Sequence, residues 1–249
     1  MGLKQILSSQ GRKAMKSIGI LVSSPIEAKA FSELENQSPI EIRKGVWLIS
    51  SGMGEKNIKK AIAKLILKGI EGLISFGFAG GIDSLLTTGT ITLPKQIIHL
   101  NGMIFNTNDV WRNAIKKQIP LEHPFTEKAL VHTPSILYTP EDKNYYFQRS
   151  GGSAVDQESY FVGEMAFESS LPFLVVRVIL DDATTSLPQN VDKLQDEKGV
   201  LNLKLLLKEL LHITLWPDYY KLSRQYYQSH KVLERLSGYQ LKSPDAKFL

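Results

Sequence analysis

Cysteine occurs nowhere among the 249 residues of this sequence. Without thiols the chain has no disulfides, no thiolate-bound metal or iron–sulfur cluster and no cysteine nucleophile. This composition suits a reducing cytoplasm, where we expect the protein to be. Long apolar runs are also missing, since residues 171–180 contain Arg177 and fall well short of the ~18 residues of a membrane span. The N-terminal residues lack the apolar core of a secretory signal, so we expect no export by that route.

Acidic residues are scarce at the two ends of the chain. The sequence has 30 Lys and Arg against 25 Asp and Glu, a net charge of +5. Residues 1–16 and residues 200–249 each carry +4, which leaves −3 for residues 17–199. A basic protein raises nucleic acid or an anionic membrane as a partner. Because the middle is acidic, we expect no nucleic-acid binding, and peripheral contact of the basic ends with an anionic membrane stays open.

Strand and helix patterns alternate along the first hundred residues. Short apolar runs at residues 17–24, 46–50 and 72–83 are typical of buried strands, and helical periodicity follows the first two. A further helix is predicted at 159–169 and a strand at 172–180. We therefore predict an α/β fold with a mixed, mostly parallel central sheet flanked by helices. Residues 1–16 form a basic extension, and 17–249 form one domain that includes C-terminal helices over 200–237, one Leu-rich (201–212) and one amphipathic (216–236).

Polar groups follow several of these predicted strands. In an open parallel sheet, ligands bind beyond the carboxyl ends of the strands. The positions past those ends are, in chain order, Ser23, Ser24 and Glu27; a glycine turn with Gly77, Phe78, Ala79, Gly80 and Gly81; Asp156, Gln157 and Glu158; and Asp181 and Asp182. Acidic residues from three strand ends are thus expected to meet beside a glycine turn, whose glycines either face a ligand or serve turn geometry alone. The histidines have no metal-ligand spacing, so no metal is expected.

Five segments occur in an order that resembles a known superfamily. They read ILVSSPIEAKAF, SGMGEKN, SFGFAGGID followed by TGTI, VDQES and VVRVILDDA, and they span roughly residues 17–185. In these segments the chain resembles the purine nucleoside phosphorylase and methylthioadenosine/adenosylhomocysteine nucleosidase superfamily. The resemblance implies a nucleoside phosphorylase-like fold, a small-molecule nucleoside as substrate, no cofactor, and a homodimer or homotrimer.

A longer set of segments is similar to one group within that superfamily. SFGFAGGIDSLLTTGTITLP, VDQES, LPFLVVRVILDDATTSLP and the C-terminal helical region look like the hopanoid-biosynthesis-associated phosphorylase/nucleosidase group. This likeness implies the release of adenine from adenosylhopane. Two alternatives stay open: a purine-salvage nucleosidase or phosphorylase for methylthioadenosine-like nucleosides, and a catalytically silent module that binds a nucleoside or a lipid.

The resemblance also implies roles for individual carboxylates. Asp181 matches the acid that protonates purine N7, and Glu27 matches the general base that activates water. Glu158 matches the carboxylate that holds the ribose hydroxyls and favours positive charge on the sugar. An acid and a base acting across one glycosidic bond follow the logic of glycoside hydrolysis. Asp182 remains an alternative acid, although the spacing from Arg177 to Asp181 matches the family.

The choice between water and phosphate as the nucleophile is predicted from the absence of two arginines that phosphorylases of this superfamily carry. Phosphorylases of this superfamily carry one arginine in the first strand–helix loop and another before the glycine turn. The corresponding segments here read SSPIEAKA and ISFGFAGG, and Lys29 is interpreted as a solvated surface residue. We therefore expect water to be the nucleophile. If the reaction is a phosphorolysis instead, phosphate is a co-substrate.

Three further residues are assigned to the ribose site. Phe78 stands where many relatives have a small or hydroxyl residue, and Gln157 replaces the usual methionine before the ribose glutamate. Both departures bear on the substrate more than on the reaction. Arg177 lies within an apolar strand, so it either acts in the site or pairs with a buried carboxylate.

Aromatic and basic side chains alternate in the last predicted helix. The tyrosines are interspersed with lysine and arginine over residues 219–231, a composition found at membrane interfaces. Packing against the core is the more common role of such a helix. Lipid contact is the alternative, and a membrane-borne adenosylhopane would require it.

Overall fold

The structure is a computed structural model that describes residues 17–31, 37–188 and 216–239. The predicted basic extension over 1–16 and the predicted Leu-rich helix over 201–212 lie outside the described residues. Within the described ranges, six α-helices flank one mixed sheet of eleven strands. The predicted α/β fold with a mostly parallel central sheet is therefore confirmed.

The helices and strands alternate along the chain. The strands are β1 (Ile18–Val22), β2 (Ile40–Arg43), β3 (Val46–Ser50), β4 (Leu73–Gly81), β5 (Ile91–Thr92), β6 (Gln96–Ile98), β7 (Ile104–Asn106), β8 (Phe125–Thr126), β9 (Leu130–His132), β10 (Ala154–Asp156) and β11 (Phe173–Asp181). The helices are α1 (Pro25–Ala28), α2 (Glu55–Ile66), α3 (Asp109–Lys116), α4 (Pro140–Ser150), α5 (Ser159–Glu168) and α6 (Trp216–Ser237). A 3-10 turn over Lys29–Phe31 follows α1.

Both faces of the central strands are covered. One core contains alternate residues of β1, β4 and β11 together with Trp111 of α3 and Leu233 of α6. The other core contains the remaining apolar residues of these strands, packed against α2 and α5. Strands buried on both faces read as continuous apolar runs, which explains why these three were recognisable in the sequence.

Strand β4 organises the sheet because it has more than two neighbours. On one edge it pairs in parallel with β11 from Leu73 to Ala79. On the other edge it pairs in parallel with β1 as far as Ser75, and then with β10 from Gly80 onward. A gap therefore lies between β1 and β10, in the carboxyl-terminal half of β4, and the candidate site is built around this gap.

Strand β10 reaches this gap in the opposite direction to β1. Residues Ala154 and Val155 pair antiparallel with Gly81 and Gly80. We expected the acids after β1, β10 and β11 to meet through parallel strand ends. For β10 the route differs: its antiparallel course runs back along β4, and this carries the residues after Val155 toward the end of β1.

Candidate active site

A cavity of about 380 Å³ opens where β1, β9, β10 and β11 end. Its wall combines acidic groups with a larger apolar surface. The lining residues are Ser23, Ser24, Glu27, Met53, Phe78, Ala79, Gly80, Thr133, Ile136, Leu137, Lys143, Val155, Asp156, Gln157, Glu158, Leu180, Asp181, Leu187, Leu222 and Tyr226. Apolar walls with a few convergent polar groups are typical of small-molecule sites.

The structure brings most of the predicted site residues to this one cavity. Those that line it are Glu27, Phe78, Gly80, Gln157, Glu158 and Asp181. The other three predicted residues lie elsewhere: Arg177 is buried within β11, and Gly77 and Gly81 are part of β4 without lining the cavity.

Glu27 is placed by a local sequence signal at the start of α1. Ser24 is the N-cap of this helix, Pro25 occupies its first turn, and Ser24 and Glu27 form a reciprocal capping box. Within the described residues, the helix expected after the first strand consists of this single turn followed by the 3-10 turn over Lys29–Phe31. The carboxylate also accepts hydrogen bonds from the N–H and hydroxyl of Ser23 at 2.8 and 2.7 Å.

The other oxygen of Glu27 bridges the gap beside β4. Its Oε1 accepts the N–H of Phe78 at 2.9 Å, so a side chain completes the edge of the sheet where β1 has ended. A Cβ at Gly77 would overlap Oε1 and lie 2.6 Å from Cδ of Glu27. Glycine is therefore required at position 77 because the carboxylate approaches the backbone so closely.

Arg177 neutralises a second carboxylate of the cavity wall, that of Asp156. Its Nε lies 2.7 Å from Oδ2 of Asp156, and its terminal nitrogen donates to the hydroxyls of Ser75 and Ser159 at 2.7 and 3.0 Å. The same nitrogen is 4.0 Å from Oε2 of Glu158. Of the two interpretations of Arg177, the geometry matches pairing with a buried carboxylate, and Asp156 is that carboxylate.

Glu158 is left short of positive charge by this arrangement. Its side chain is 13% exposed, at the N-terminal end of α5. Burial, followed by repulsion from Asp156, raises its pKa to about 8, and Arg177 only partly opposes this. A carboxyl group with this pKa is mostly protonated at neutral pH. Positive charge placed next to it would favour the ionised form.

We expect the variant Glu158→Gln to be more stable than the unmodified protein at alkaline pH. The folded protein holds the Glu158 proton up to about pH 8, whereas the reference pKa of the side chain is 4.5. Ionisation therefore opposes folding, and the stability of the unmodified protein falls between these two pH values. Glutamine has no such loss. Thermal unfolding should show Tm values that are close at pH 4.5 and that favour the variant by a few degrees at pH 8.5. A Tm difference independent of pH would contradict the raised pKa.

Asp181 and Asp182 occupy different environments at the end of β11. Asp181 is 5% exposed and lines the cavity. Burial raises its pKa, and the nearby ammonium of Lys143 partly opposes that rise. Asp182 lies outside the cavity lining, and its Oδ1 accepts the hydroxyls of Thr184 and Thr185 at 2.7 and 2.9 Å. Although partial burial acts in the other direction, these bonds lower the pKa of Asp182. Asp181 thus has the environment of a proton donor, and Asp182 that of a turn cap.

Several cavity residues were not named from the sequence. Lys143 comes from α4, within residues 105–150, where proline and polar residues interrupt any clear period. Ile136 and Leu137 lie between β9 and α4, and no sequence pattern singled them out. Leu222 and Tyr226 come from α6, and the ring of Tyr226 packs edge-on against Phe78 at 6.0 Å. A helix so far along the chain can be assigned to the cavity only from tertiary contacts.

The arrangement supports proton transfer at two separate points of a bound molecule. One carboxylate, Glu27, is held firmly by donors at one part of the wall, and a carboxyl with raised pKa, Asp181, lies at another. Such a pair can remove a proton from a nucleophile and supply one to a leaving group. Among the described residues, no cluster of acids and histidines is suited to hold a metal ion. None of the described helices has the length and apolarity needed to cross a membrane.

Comparison with known proteins places most of the chain in one sequence family. Residues 17–212 match the family described as the phosphorylase superfamily. Among curated relatives, the 5′-methylthioadenosine/S-adenosylhomocysteine nucleosidase of Buchnera aphidicola subsp. Schizaphis graminum is 26% identical over 188 residues, which cover 66% of this chain and 80% of the relative. The enzyme of the same name from Buchnera aphidicola subsp. Acyrthosiphon pisum (strain Tuc7) is 23% identical over 191 residues, 67% and 81% of the two chains.

Solved structures share the fold at lower sequence identity. The 5′-methylthioadenosine/S-adenosylhomocysteine nucleosidase of Colwellia psychrerythraea, in complex with adenine, has a TM-score of 0.64 and 18% identity over 93% of this chain and 97% of its own. The enzyme of that name from Helicobacter pylori, bound to a nucleoside analogue, has a TM-score of 0.62 and 17% identity over 90% and 98%. The futalosine hydrolase of Helicobacter pylori has a TM-score of 0.62 and 18% identity over 89% and 97%.

Proposed function

Because this chain belongs to the phosphorylase superfamily, we propose that its cavity cleaves the N-glycosidic bond of an adenosyl compound and releases adenine. The observation that carries the proposal is the single cavity lined by Glu27, Glu158 and Asp181. Curated relatives named as 5′-methylthioadenosine/S-adenosylhomocysteine nucleosidases, and neighbours bound to adenine or nucleoside analogues, support a purine nucleoside as the ligand.

In the proposed reaction the C1′–N9 bond breaks as water adds to C1′. Asp181 donates a proton to N7, which makes adenine a neutral leaving group. The ribosyl ring then carries positive charge, and this charge favours the ionised form of Glu158 beside it. Glu27 removes a proton from the attacking water, so that the products are adenine and a ribosyl compound with a hydroxyl at C1′. No cofactor takes part in these steps.

The charged groups near the cavity favour water over phosphate as the nucleophile, because the cations described there are already engaged in other bonds. Phosphate binding usually needs a cation or several donors that are free to meet it. Within the described residues, Lys143 is the one cation that lines the cavity, and it already donates to Asp181 and to two backbone carbonyls. Arg177 is 2% exposed and engaged with Asp156. Lys29 is exposed and does not line the cavity.

The finer substrate assignment is adenosylhopane, with methylthioadenosine-like nucleosides as the second candidate. Apolar residues form much of the cavity wall, including Met53, Leu222 and Tyr226, which suits an apolar group attached to the nucleoside. The outer face of α6 supports a lipid-linked substrate. Its exposed residues include Tyr220, Lys221, Arg224, Tyr227, Lys231 and Arg235, which combine tyrosine with positive charge, besides Ser223, Gln228 and the acidic Glu234. Lys231 lies over the Tyr227 ring at 4.3 Å. Such a face suits the surface of an anionic membrane.

Adenine release measured with and without phosphate tests the proposal. The substrates are methylthioadenosine in solution and adenosylhopane in vesicles of anionic or neutral lipid. We expect release from at least one substrate at a rate independent of phosphate. A preference for adenosylhopane in anionic vesicles, lost at high salt, would support the lipid assignment. No release from any adenosyl compound would refute the enzymatic function, and strict dependence on phosphate would make the enzyme a phosphorylase.

The assembly state is a further expectation from the resemblance. We propose a homodimer or homotrimer, and sedimentation velocity of the full chain distinguishes either from a monomer.

A further inference from the structure

Lys143 is among the most deeply buried charged side chains of the described residues. It lies in the first turns of α4, and its side chain is 1% exposed. The ammonium is 2.5 Å from Oδ2 of Asp181, 2.7 Å from the carbonyl oxygen of Asp182 and 2.8 Å from that of Thr185. A lysine ammonium has three N–H donors and no acceptor. All three donors are therefore in use, and none is left for a ligand.

These three bonds fasten the segment after β11 to α4. A fourth bond acts in parallel, since the N–H of Leu187 donates to the carbonyl oxygen of Tyr138 at 2.8 Å. The segment between these points contains Leu187, which lines the cavity. Lys143 thus holds both the carboxyl group of Asp181 and the loop that forms the adjoining wall.

We propose that Lys143 is a positioning residue for the general acid: it holds Oδ2 of Asp181 by a charged hydrogen bond and leaves Oδ1 to carry the proton that is delivered to the purine. The inference rests on the proposed function, because it assigns Asp181 the role of acid. Lys143 itself transfers no proton to the substrate in this scheme, since its donors are turned toward the carboxylate and the two carbonyls.

The charge of Lys143 also has a defined effect on the acid. Desolvation raises the pKa of Asp181, and an opposite charge in direct contact lowers it, so the two effects oppose each other. Without Lys143 the pKa would rise further. The other titratable or charged groups around the site do not replace it. The acidic groups are Asp182 in the same loop and Glu27, Asp156 and Glu158 across the cavity. Arg177 is paired with Asp156, and the charge of Lys221 lowers the pKa of Asp182. Tyr226 lies on α6.

The variant Lys143→Met tests the proposal, since methionine retains the length of the side chain without its charge. The reaction requires protonated Asp181, so activity falls as the pH rises through the pKa of the acid. We expect this alkaline limb of the kcat–pH profile to move upward by about 1–3 pH units. At the optimum of the variant, kcat should fall by about 10- to 100-fold because the acid is less well oriented, with a smaller change in KM.

Arg149→Met is the matched control. It removes one positive charge from the same helix, at an exposed position whose guanidinium contacts only the ring and hydroxyl of Tyr145 among the described contacts. We expect an unchanged pH profile for this variant. If Lys143→Met lowers kcat or Tm but leaves the alkaline limb in place, Lys143 is a structural residue and the proposal is wrong.

A measurement without catalysis separates this inference from the proposed function. Carbon-13 NMR of the Asp181 carboxyl group gives its pKa directly, in the unmodified protein and in Lys143→Met. A higher pKa in the variant supports the electrostatic role of Lys143 even if no adenosyl compound is cleaved. An unchanged pKa contradicts it even if the unmodified protein is an active nucleosidase. If Lys143→Met does not fold, Lys143→Gln is measured instead. Glutamine keeps a hydrogen-bond donor without the charge, and it is expected to shift the pKa of Asp181 in the same direction.

Discussion

Replacement of Asp181 by asparagine is expected to reduce adenine release by about 10²- to 10⁴-fold, the usual contribution of a general acid. Asparagine keeps an oxygen that can accept from Lys143 but has no proton to give to N7. The fold should persist because Lys143 retains the carbonyl oxygens of Asp182 and Thr185 as partners. Single-turnover assays measure the loss, and circular dichroism verifies that the variant is folded.

Asp182→Asn is the control for this experiment, since it makes the same chemical change one residue away. Asp182 accepts hydrogen bonds from Thr184 and Thr185 and does not line the cavity. We expect little change in the rate. The assignment would be reversed if Asp182→Asn were inactive and Asp181→Asn retained full activity.

Replacement of Glu27 by glutamine is expected to reduce hydrolysis by a similar factor, about 10²- to 10⁴-fold. The amide cannot take a proton from water. It also fits its surroundings less well, because the carboxylate accepts from Ser23, Ser24 and Phe78, whereas an amide nitrogen is a donor. At least one of these N–H groups would lose its acceptor, at a cost of about 1–3 kcal/mol in stability. Rates of adenine release and denaturant unfolding together measure both effects.

The matched control is Glu41→Gln, because Glu41 is an exposed residue of the edge strand β2. Glu41 accepts a hydrogen bond from the N–H of Gly45 at 2.7 Å and lies outside the cavity lining. Unchanged activity is expected for it. An active Glu27→Gln enzyme would mean that another group activates the water, and the proposed role of Glu27 would have to be abandoned.

The parts of the fold that were predicted correctly are those with strong local signals. Strands β1, β4 and β11 are continuous apolar runs because helices cover both faces of the sheet, and α2 has an apolar stripe at helical spacing. Glu27 was nominated because it follows the first predicted strand, and the structure adds that it forms a capping box with Ser24 at the start of α1. For these elements the local sequence pattern and the tertiary packing favour the same secondary structure.

Other features depend on residues far apart in the chain. The helix expected after β1 is, over residues 25–31, one capped turn followed by a 3-10 turn, which resembles a longer helix in composition. The antiparallel course of β10 could not be predicted from a strand of three residues. Arg177 had two interpretations until Asp156, 21 residues earlier, was seen 2.7 Å from it.

The cysteine-free, mostly ordinary composition and the ordered motifs were enough to establish an α/β enzyme fold and to nominate three carboxylates, since a strand end is a local feature of the chain. The environment of each carboxylate depends on the tertiary structure. A pKa depends on burial and on the charges that other segments bring near, and here those segments are α4 with Lys143, β11 with Arg177 and β10 with Asp156. Two adjacent aspartates with the same chemistry thus came to have opposite pKa shifts.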